Sequence, residues 1–429
     1  MMDLKTKANW HKLFTSAFLR DSLWSVVGNG MGNFLLLVGG VIIARFLGKD
    51  LYGEYGMVKS TMFFIGGFAS FGLEYTATKF IAESRSLNSS NITGYIKASM
   101  LLTIVFSFAL WLLLLCFSER LALFLDEPRL SSPFRYLGAI IFFRAICTTT
   151  KGLLGGFNEF KSIGFNSVLS GIIFILLGPL LTSQWGLVGS FIALLITQVV
   201  NAFLNCLNLY KIYQKYPKTK KNLILSLFRF SIPVAIQELV YSVCNWGIIL
   251  VLTKYASLGE VGIYTAASQW YAVSLFIPNL LVNVVLSYLA GNSKNPHKYK
   301  SMLNKMILIN FICAFIPFVI ISSFSSVIAS FYGADFEGLQ SVLIVLLLAT
   351  IFACISSVYQ SDFLARNKNW QLLILRTFRD GTVLLSLYLL LNNDNNNAAF
   401  KLAVITTTVW FTYCVVMIIS NRTTRKAIA

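Results

Sequence analysis

Long apolar stretches alternate with short polar ones along the whole chain, and most are long enough to cross a bilayer as a helix. Twelve such runs can be distinguished: 22–44, 57–78, 98–118, 136–156, 163–182, 184–207, 230–252, 263–289, 306–329, 339–361, 371–391 and 399–420. A helix satisfies its own backbone hydrogen bonds in lipid, so helices are the expected spanning elements. The pattern predicts an all-α integral membrane protein with 12 transmembrane helices.

The charges of the polar connections predict how these helices are oriented. Counted over alternate connections, 24 basic residues lie on one side and 7 on the other, which also carries most of the acids. The positive-inside rule makes the richer side cytoplasmic and places both termini there. The first 20 residues are polar and basic without the apolar core of a cleavable signal, so we expect the first span to direct insertion.

Composition agrees with this class and narrows the chemistry. The chain is 56% hydrophobic and 12% charged, whereas soluble domains carry about 25% charged residues. The net charge of +18 is spread over short loops, which argues against nucleic-acid binding, and these loops leave no room for a soluble catalytic domain. The seven cysteines lie singly in apolar segments and the two histidines in polar ones, so no disulfide, metal or other cofactor is expected.

The two halves of the chain correspond at a shift of 209 residues. The shift places Asn29 on Glu238, Gly53 on Gly262, Tyr55 on Tyr264, Lys59 on Ser268, Ser70 on Asn279, Glu74 on Asn283 and Asn158 on Asn367. Each half holds six runs and begins on the cytoplasmic side, so the halves are predicted to be parallel six-helix repeats. The predicted domains are an N-terminal bundle over 1–207, a basic cytoplasmic linker over 208–229 and a C-terminal bundle over 230–429. The linker is expected to anchor the topology, with binding of anionic headgroups as the alternative.

Several ionisable residues lie inside the apolar runs, where each needs a partner or a wet cavity. Arg144 and Glu238 are the deepest, and each either lines a cavity or bonds to another helix. Lys59 and Glu74 share a small, polar face of the second run, separate from its aromatic side. Lys59 lies near the outer end of that run and is alternatively a snorkelling residue.

Other polar residues in the runs are candidates for contact with a polar ligand. Arg376, Arg379 and Asp380 begin the eleventh run and are either interface anchors with a local ion pair or a basic site for phosphate oxygens. The amides of Asn29, Asn279 and Asn283 suit either sugar hydroxyls or interhelical hydrogen bonds, and the two readings stay open. If the halves face each other across a cavity, spans one, two, seven and eight supply it asymmetrically, with Glu74 and Glu238 as its acids.

The stretch 45–83 carries the features of a known family. We read 45–56 as a loop followed by a spanning helix, with Leu47-Gly48, Tyr52-Gly53-x-Tyr55 and Phe71-Gly72-Leu73 as its motifs, and Glu260-Val-Gly262-Ile-Tyr264 in the second half. Together with twelve spans over nearly the whole chain, these motifs resemble the polysaccharide-transporter family. This family includes the O-antigen flippases and falls within the multidrug, oligosaccharidyl-lipid and polysaccharide exporter superfamily.

The resemblance implies two bundles of six helices around a central cavity in the bacterial inner membrane. It implies a flippase that moves polyprenyl-pyrophosphate-linked oligosaccharide, such as the O-antigen repeat unit of lipopolysaccharide, to the outer leaflet by alternating access. Expected partners are this lipid-linked glycan, membrane lipids, a coupling ion (proton or sodium) and other membrane proteins of polysaccharide assembly. On this reading the protein is not an enzyme.

Two other readings remain open from the sequence. A multidrug/cation antiporter of the same superfamily has the same plan, although the Tyr-Gly-x-Tyr motif and the many basic residues favour an anionic lipid. A membrane glycan polymerase or ligase generally needs a sizeable outer loop for its active site, and the connections here are short.

Overall fold

The computed structural model describes residues 17–70, 72–86, 91–124, 131–219, 223–279, 296–366, 368–392 and 395–426. Their regular structure is helical throughout, as predicted. The helices are α1 (Ala17–Ser70), α2 (Leu73–Ser86), α3 (Ile92–Phe124), α4 (Ser131–Gly156), α5 (Phe160–Tyr213), α6 (Ile224–Tyr255), α7 (Leu258–Ser274), α8 (Pro296–Ser323), α9 (Ser325–Tyr332), α10 (Leu339–Ala365), α11 (Asn369–Leu391) and α12 (Ala398–Lys426).

Seven helices within the described ranges are long and apolar enough to cross a membrane. They are Val27–Ala69, Ile92–Phe124, Ser131–Gly156, Phe160–Tyr213, Tyr299–Ser323, Leu339–Phe363 and Ala398–Asn421. The predicted class, an all-α multi-pass membrane protein, is confirmed. The count of twelve spans and the placement of the termini stay predictions.

Single glycines interrupt two very long helices. Helix α1 has 54 residues and leaves helical geometry at Gly48 (φ 71°, ψ 172°), and α5 has 54 residues and does so at Gly186 (φ 55°, ψ −135°). Positive φ is a conformation that glycine adopts at little cost because it has no Cβ. The predicted loop over 45–56 is therefore wrong: Gly48 alone supplies the break, and Asp50 to Tyr55 are helical.

A third glycine corrects the second predicted span. Gly72 has φ 64°, and the chain passes there from α1, which ends at Ser70, to α2, which begins at Leu73. The run 57–78 is thus two helices, and the polar face that begins at Lys59 does not continue along one helix to Glu74. Glu74 lies in the first turn of α2, where the positive end of the helix dipole favours a carboxylate.

Helix boundaries recur at the 209-residue shift. Helix α4 ends at Gly156 and α10 at Ala365, α5 begins at Phe160 and α11 at Asn369, and the starts of α4 and α10 agree within one residue. The buried fraction of corresponding helices is similar as well. In the most apolar 18-residue stretch of each helix, 61% is buried in both α4 and α10, whereas 22% is buried in α3 and 17% in its counterpart α8. Corresponding helices therefore occupy corresponding environments, and the division into two six-helix repeats stays a prediction.

The chain forms two compact units. The first unit comprises Met1–Ile43 with Thr61–Ser242, and the second comprises Ala44–Ser60 with Val243–Ala429. Helices α1 and α6 each contribute to both units. Helix α4 is central to the first unit, where it packs against α2, α3 and α5, and α10 is central to the second, where it packs against α7, α8 and α12.

In the second unit, the part of α1 after Gly48 crosses α7 at two repeat-related glycines. A Cβ on Gly53 would collide with the carbonyl oxygen of Leu258, and one on Gly262 would collide with that of Lys49. The two glycines also face each other. A Cβ added to Gly53 would lie 3.2 Å from the backbone nitrogen of Gly262, and one added to Gly262 would lie 3.1 Å from that of Gly53. Because the shift relates Lys49 to Leu258 and Gly53 to Gly262, the two sides of this contact are images of each other.

The tyrosines of the Tyr-Gly-x-Tyr motif fill the core beside this crossing. Tyr52 and Tyr55 are fully buried and stacked, with ring centroids 5.5 Å apart, and Tyr52 also meets Phe336 at 5.9 Å. The Tyr52 hydroxyl accepts a hydrogen bond from Nε2 of Gln269 in α7. The motif therefore combines a close backbone approach with an aromatic core.

The crossing predicts opposite effects for two alanine substitutions in the same helical segment. Gly53→Ala forces the added methyl group into a backbone carbonyl of α7, so we expect the free energy of unfolding to fall by ~1–3 kcal/mol. At Gly66 nothing lies within 4 Å of an added Cβ, and Gly66→Ala should raise stability by ~0.5–1 kcal/mol through helix propensity. Thermal unfolding of the purified protein in detergent measures both, and equal melting temperatures for the two variants would contradict the packing described.

Candidate functional site

The predicted site residues are distributed over both units. Arg144, Glu74 and Asn29 belong to the first, whereas Lys59, Arg376, Arg379 and Asp380 belong to the second. The side chain of Glu238 and the whole of Asn283 lie outside the described residues, so their predicted roles stay predictions. Asn279 is exposed, and its backbone N–H donates to Leu275 O at 3.0 Å.

Arg144 and Glu74 come together in the first unit, around α4. The Arg144 guanidinium lies 4.5 Å from the ring centroid of Phe63, which is a cation–π distance, and the Glu74 carboxylate attracts it electrostatically. Gly152, two turns further along α4, lets α2 approach, since a Cβ there would lie 2.8 Å from Glu74 Cα. Thr78 of α2 fixes the contact by donating to Gly152 O at 2.8 Å.

Asn29 lies at a close contact between α1 and α5. Its Oδ1 accepts a hydrogen bond of 3.1 Å from the Ser167 hydroxyl, and a Cβ on nearby Gly32 would lie 2.9 Å from the Ser167 carbonyl carbon. The interhelical hydrogen bond is therefore present in this structure. A role for Asn29 in sugar binding stays a prediction.

Lys59 is half-buried in the second unit, and its ammonium group lies 5.6 Å from the ring centroid of Tyr55 one turn earlier. The structure thus places Lys59 and Glu74, the two charges predicted to share a face, in separate units. Lys59 is held against the same aromatic core that surrounds the Gly53 crossing.

Arg379 and Asp380 form a bidentate ion pair in α11. Arg379 Nε donates to Oδ1 of Asp380 at 2.8 Å, and Nη2 donates to Oδ2 at 3.0 Å. The guanidinium also lies 4.1 Å from the ring centroid of Trp410 and 5.1 Å from that of Tyr413, both in α12. The Arg379 side chain is only 8% exposed, so its charge is enclosed by its own carboxylate partner and two aromatic rings.

Arg376, one turn earlier, has a different kind of partner. Its Nε donates to Oε1 of Gln360 in α10 at 3.0 Å, and its Nη2 donates to the same oxygen. Because the Gln360 amide is neutral, this contact positions the guanidinium without cancelling its charge. Gln360 thus engages two of the five N–H donors of Arg376 with a neutral acceptor, whereas Arg379 donates to a carboxylate.

The pattern of a single helix does not reveal Gln360, Trp410 and Tyr413, because their role depends on which helices are neighbours. The repeat offers a partial signal: the shift places Arg376, Arg379 and Trp410 on Ser167, Ser170 and Asn201 of the first unit. There the groups are uncharged, with Ser170 Oγ donating to Asn166 O at 2.7 Å and Asn201 Oδ1 accepting from Asn205 at 2.9 Å. The second unit has cations and an aromatic ring where the first has hydroxyls and an amide.

The chemistry of these groups suits an anion with several oxygens. Planar guanidinium groups bind phosphate oxygens through parallel N–H bonds, and burial strengthens such contacts. Within the described part of the chain, no group of three or more His, Cys, Asp and Glu residues is placed to hold a metal ion.

The fold defines a class, a multi-pass α-helical membrane protein. A multidrug resistance MATE family transporter of the MOP superfamily, in its inward-facing conformation, superposes with a TM-score of 0.80 at 16% identity, covering 95% of this chain and 100% of that one. The lipid II flippase MurJ, in its inward closed conformation, superposes with a TM-score of 0.75 at 16% identity, covering 93% and 87%. At these identities the likeness concerns the fold.

The sequence itself identifies the family. Residues 18–290 match the model of the family described as "Polysaccharide biosynthesis protein", and the chain belongs to that family. Stage V sporulation protein B of Bacillus subtilis (strain 168) is 25% identical over 209 residues, which is 48% of this chain. The match spans 40% of the length of that relative. The resemblance to polysaccharide transporters and flippases inferred from the motifs is thereby confirmed.

The stacking of Arg379 on Trp410 predicts a graded response to substitution. Trp410→Leu removes the aromatic face and should lower the free energy of unfolding by ~0.5–2 kcal/mol beyond the loss of side-chain area. Trp410→Phe keeps a ring and should lose less. Thermal unfolding in detergent compares the two variants, and a leucine variant as stable as the phenylalanine variant would show that the ring does not hold the arginine.

Proposed function

We propose that the protein is a flippase for polyprenyl-pyrophosphate-linked oligosaccharide, the O-antigen repeat unit or a similar surface glycan. The observation that carries this proposal is the placement of Arg144 and Arg376. Each guanidinium is held inside a helix bundle by partners that orient it, Phe63 in one case and Gln360 in the other. Membership of a polysaccharide biosynthesis family and the fold shared with a lipid II flippase support the same reading.

The energetics of charge in a membrane favour this interpretation. An arginine near the centre of a spanning helix, as Arg144 is in α4, costs about 2.5–3.5 kcal/mol on insertion scales, so such residues mark pathways of polar substrates. Arg379 is compensated by its bidentate carboxylate, whereas the acceptor of Arg376 is neutral. A pyrophosphate group would give Arg376 a direct anionic partner while the polyprenyl tail stays in lipid.

The finer features of the proposal follow the family resemblance. The protein would have twelve spans with both termini in the cytoplasm of a bacterium, and would reside in the inner membrane. Two bundles of six helices around a central cavity would expose the substrate alternately to each side, driven by a proton or sodium gradient and acting beside other proteins of polysaccharide assembly. The cycle needs no catalytic step.

Glycan delivery in cells tests the proposed site. In a strain that lacks its own O-antigen flippase, the wild-type chain should restore surface glycan, and Arg144→Ala and Arg376→Ala should each reduce it by about tenfold or more, the equivalent of ~1.4 kcal/mol of lost substrate stabilisation. Surface glycan is measured by gel profile and by antibody binding to intact cells.

Arg135→Ala is the matched control for Arg144→Ala because it removes an arginine from the same helix. The Arg135 side chain is 57% exposed and pairs with the exposed Glu119 at 2.7 Å, so its loss should leave delivery unchanged. All variants are compared at equal membrane levels. Full delivery by inserted Arg144→Ala and Arg376→Ala variants would refute the assignment of these residues.

One observation favours a multidrug/cation antiporter as the second candidate, namely the TM-score of 0.80 with a MATE family transporter. On that reading, expression of the chain in a drug-sensitive strain should raise resistance to cationic drugs and leave surface glycan unaffected. The flippase proposal expects unchanged drug sensitivity, and susceptibility tests on the complemented strain decide between the two.

A further inference from the structure

A buried carboxylate fastens three helix ends in the second unit. Asp362, near the end of α10, is 1% exposed and accepts hydrogen bonds from Tyr299 Oη and from Arg366 Nη2, the latter at 2.9 Å, on Oδ1. Its Oδ2 accepts from Asn421 Nδ2 at 2.6 Å. We call these four residues the Asp362 clasp, which joins the start of α8, the end of α10 and the end of α12.

Arg366 is the partly exposed member of the clasp. It lies four residues after Asp362, just beyond the end of α10, its side chain is 19% exposed, and its guanidinium lies 5.3 Å from the ring centroid of Tyr299. The carboxylate is thus enclosed by three donors from three helices, while one of those donors reaches the surface. Among the sequence features, only the i, i+4 spacing of Asp362 and Arg366 points to this arrangement.

In the first unit, the corresponding helix ends are joined without these charged residues. At the 209-residue shift, Asp362, Arg366 and Asn421 correspond to Leu153, Phe157 and Ile212. Leu153 and Phe157 belong to a buried apolar cluster, and Ile212 packs against it. Arg85 covers this cluster by donating to Gly156 O at 2.9 Å, with its guanidinium 5.7 Å from the Phe157 ring centroid.

The counterpart of Tyr299 is Ser90, which lies outside the described residues. The apolar cluster joins the start of α3 and the ends of α4 and α5. By the 209-residue shift, these helix ends are the counterparts of the start of α8 and the ends of α10 and α12. The same junction of the repeat is therefore held by apolar contacts in one unit and by a charged network in the other. The fold itself does not require the charges.

The two kinds of fastening respond differently to disturbance. An apolar cluster loses stability gradually as its surface is uncovered, in proportion to the area exposed. A buried ion pair that loses one partner leaves an uncompensated charge, so partial opening of the network costs more than partial uncovering of an apolar cluster. Replacing such a network by apolar residues of similar size is often neutral or stabilising, which means that stability alone does not account for the clasp.

We infer that the Asp362 clasp is a releasable fastening that opens and closes again during the transport cycle, and that Asp362 is a positioning residue for transport. This inference rests on the proposed transport function. It assigns the mobile helix ends of the cycle to the second unit, at the start of α8 and the ends of α10 and α12. The corresponding ends in the first unit stay closed.

Grafting the residues of the first unit onto the second tests the inference. The triple variant Asp362→Leu, Arg366→Phe, Asn421→Ile replaces the clasp by the apolar set that the repeat already uses. We expect a melting temperature equal to or above that of the wild type, together with a loss of glycan delivery of about tenfold or more in the flippase-deficient strain. Delivery at the wild-type level by the inserted graft would overturn the inference.

A matched control changes the apolar cluster while keeping it apolar. Leu153→Met preserves volume and should leave delivery unchanged. The conservative variant Asp362→Asn keeps the shape of the clasp but leaves Arg366 without its carboxylate partner, so it should lose delivery and also melt at a lower temperature than the graft. If the wild-type chain itself does not restore glycan, the proposed function fails; if the wild type and the graft both restore it, only the inference fails.

A measurement on the wild type keeps the test independent of whether the graft folds. Amide hydrogen exchange in nanodiscs compares residues 362–366 and 417–421 with their counterparts 153–157 and 208–212 in the same molecule. A releasable clasp predicts exchange about tenfold or more faster at the first pair of segments than at the second, because exchange requires local opening. Equal or slower exchange at the clasp would overturn the inference.

Discussion

Placing charge and backbone polarity in hydrocarbon is the constraint on which the rest of this structure depends. It makes every regular element in the described ranges a helix, and it requires a partner for an ionisable side chain inside the bundles. The solutions differ by site. Arg144 lies against the ring of Phe63 and is attracted by the Glu74 carboxylate. Arg379 pairs with Asp380 and stacks on Trp410. Asp362 accepts hydrogen bonds from Tyr299, Arg366 and Asn421. Arg376 is oriented by the neutral amide of Gln360.

Glycines allow the backbone to turn between helices and allow helices to approach each other closely. Gly48, Gly72 and Gly186 each have a positive φ, which glycine adopts at little cost, and each lies where a helix is interrupted or the next one is about to begin. At Gly53 and Gly262 the missing side chains let two repeat-related helices meet backbone to backbone. The repeat thus appears both in helix boundaries and in a self-similar contact. Within this shared framework the units diverge in charge, as in the clasp and its apolar counterpart.

Apolar run length and loop charge suffice to predict the helical class, and the 209-residue shift anticipates the matching ends of α4 and α10. The sequence does not reveal that Asp50 to Tyr55 are helical, because Gly, Tyr and Asp suit both a loop and a helix that breaks at one residue. It also misplaces Glu74, since helical phase calculated across Gly72 assumes a continuous helix. The Arg376–Gln360 contact and the Asp362 clasp escape prediction for a different reason: they join residues on separate helices, and only tertiary packing decides which helices are neighbours.

Translocation by the purified protein tests the proposed flippase activity most directly. Proteoliposomes loaded with a fluorescent polyprenyl-pyrophosphate oligosaccharide in both leaflets are treated with a membrane-impermeant quencher, with and without the protein. We expect about half of the label to be protected in protein-free vesicles and the protein to make nearly all of it accessible, with the Arg376→Ala variant markedly slower than wild type. Unchanged protection in vesicles that contain folded wild-type protein under both proton and sodium gradients would contradict the account.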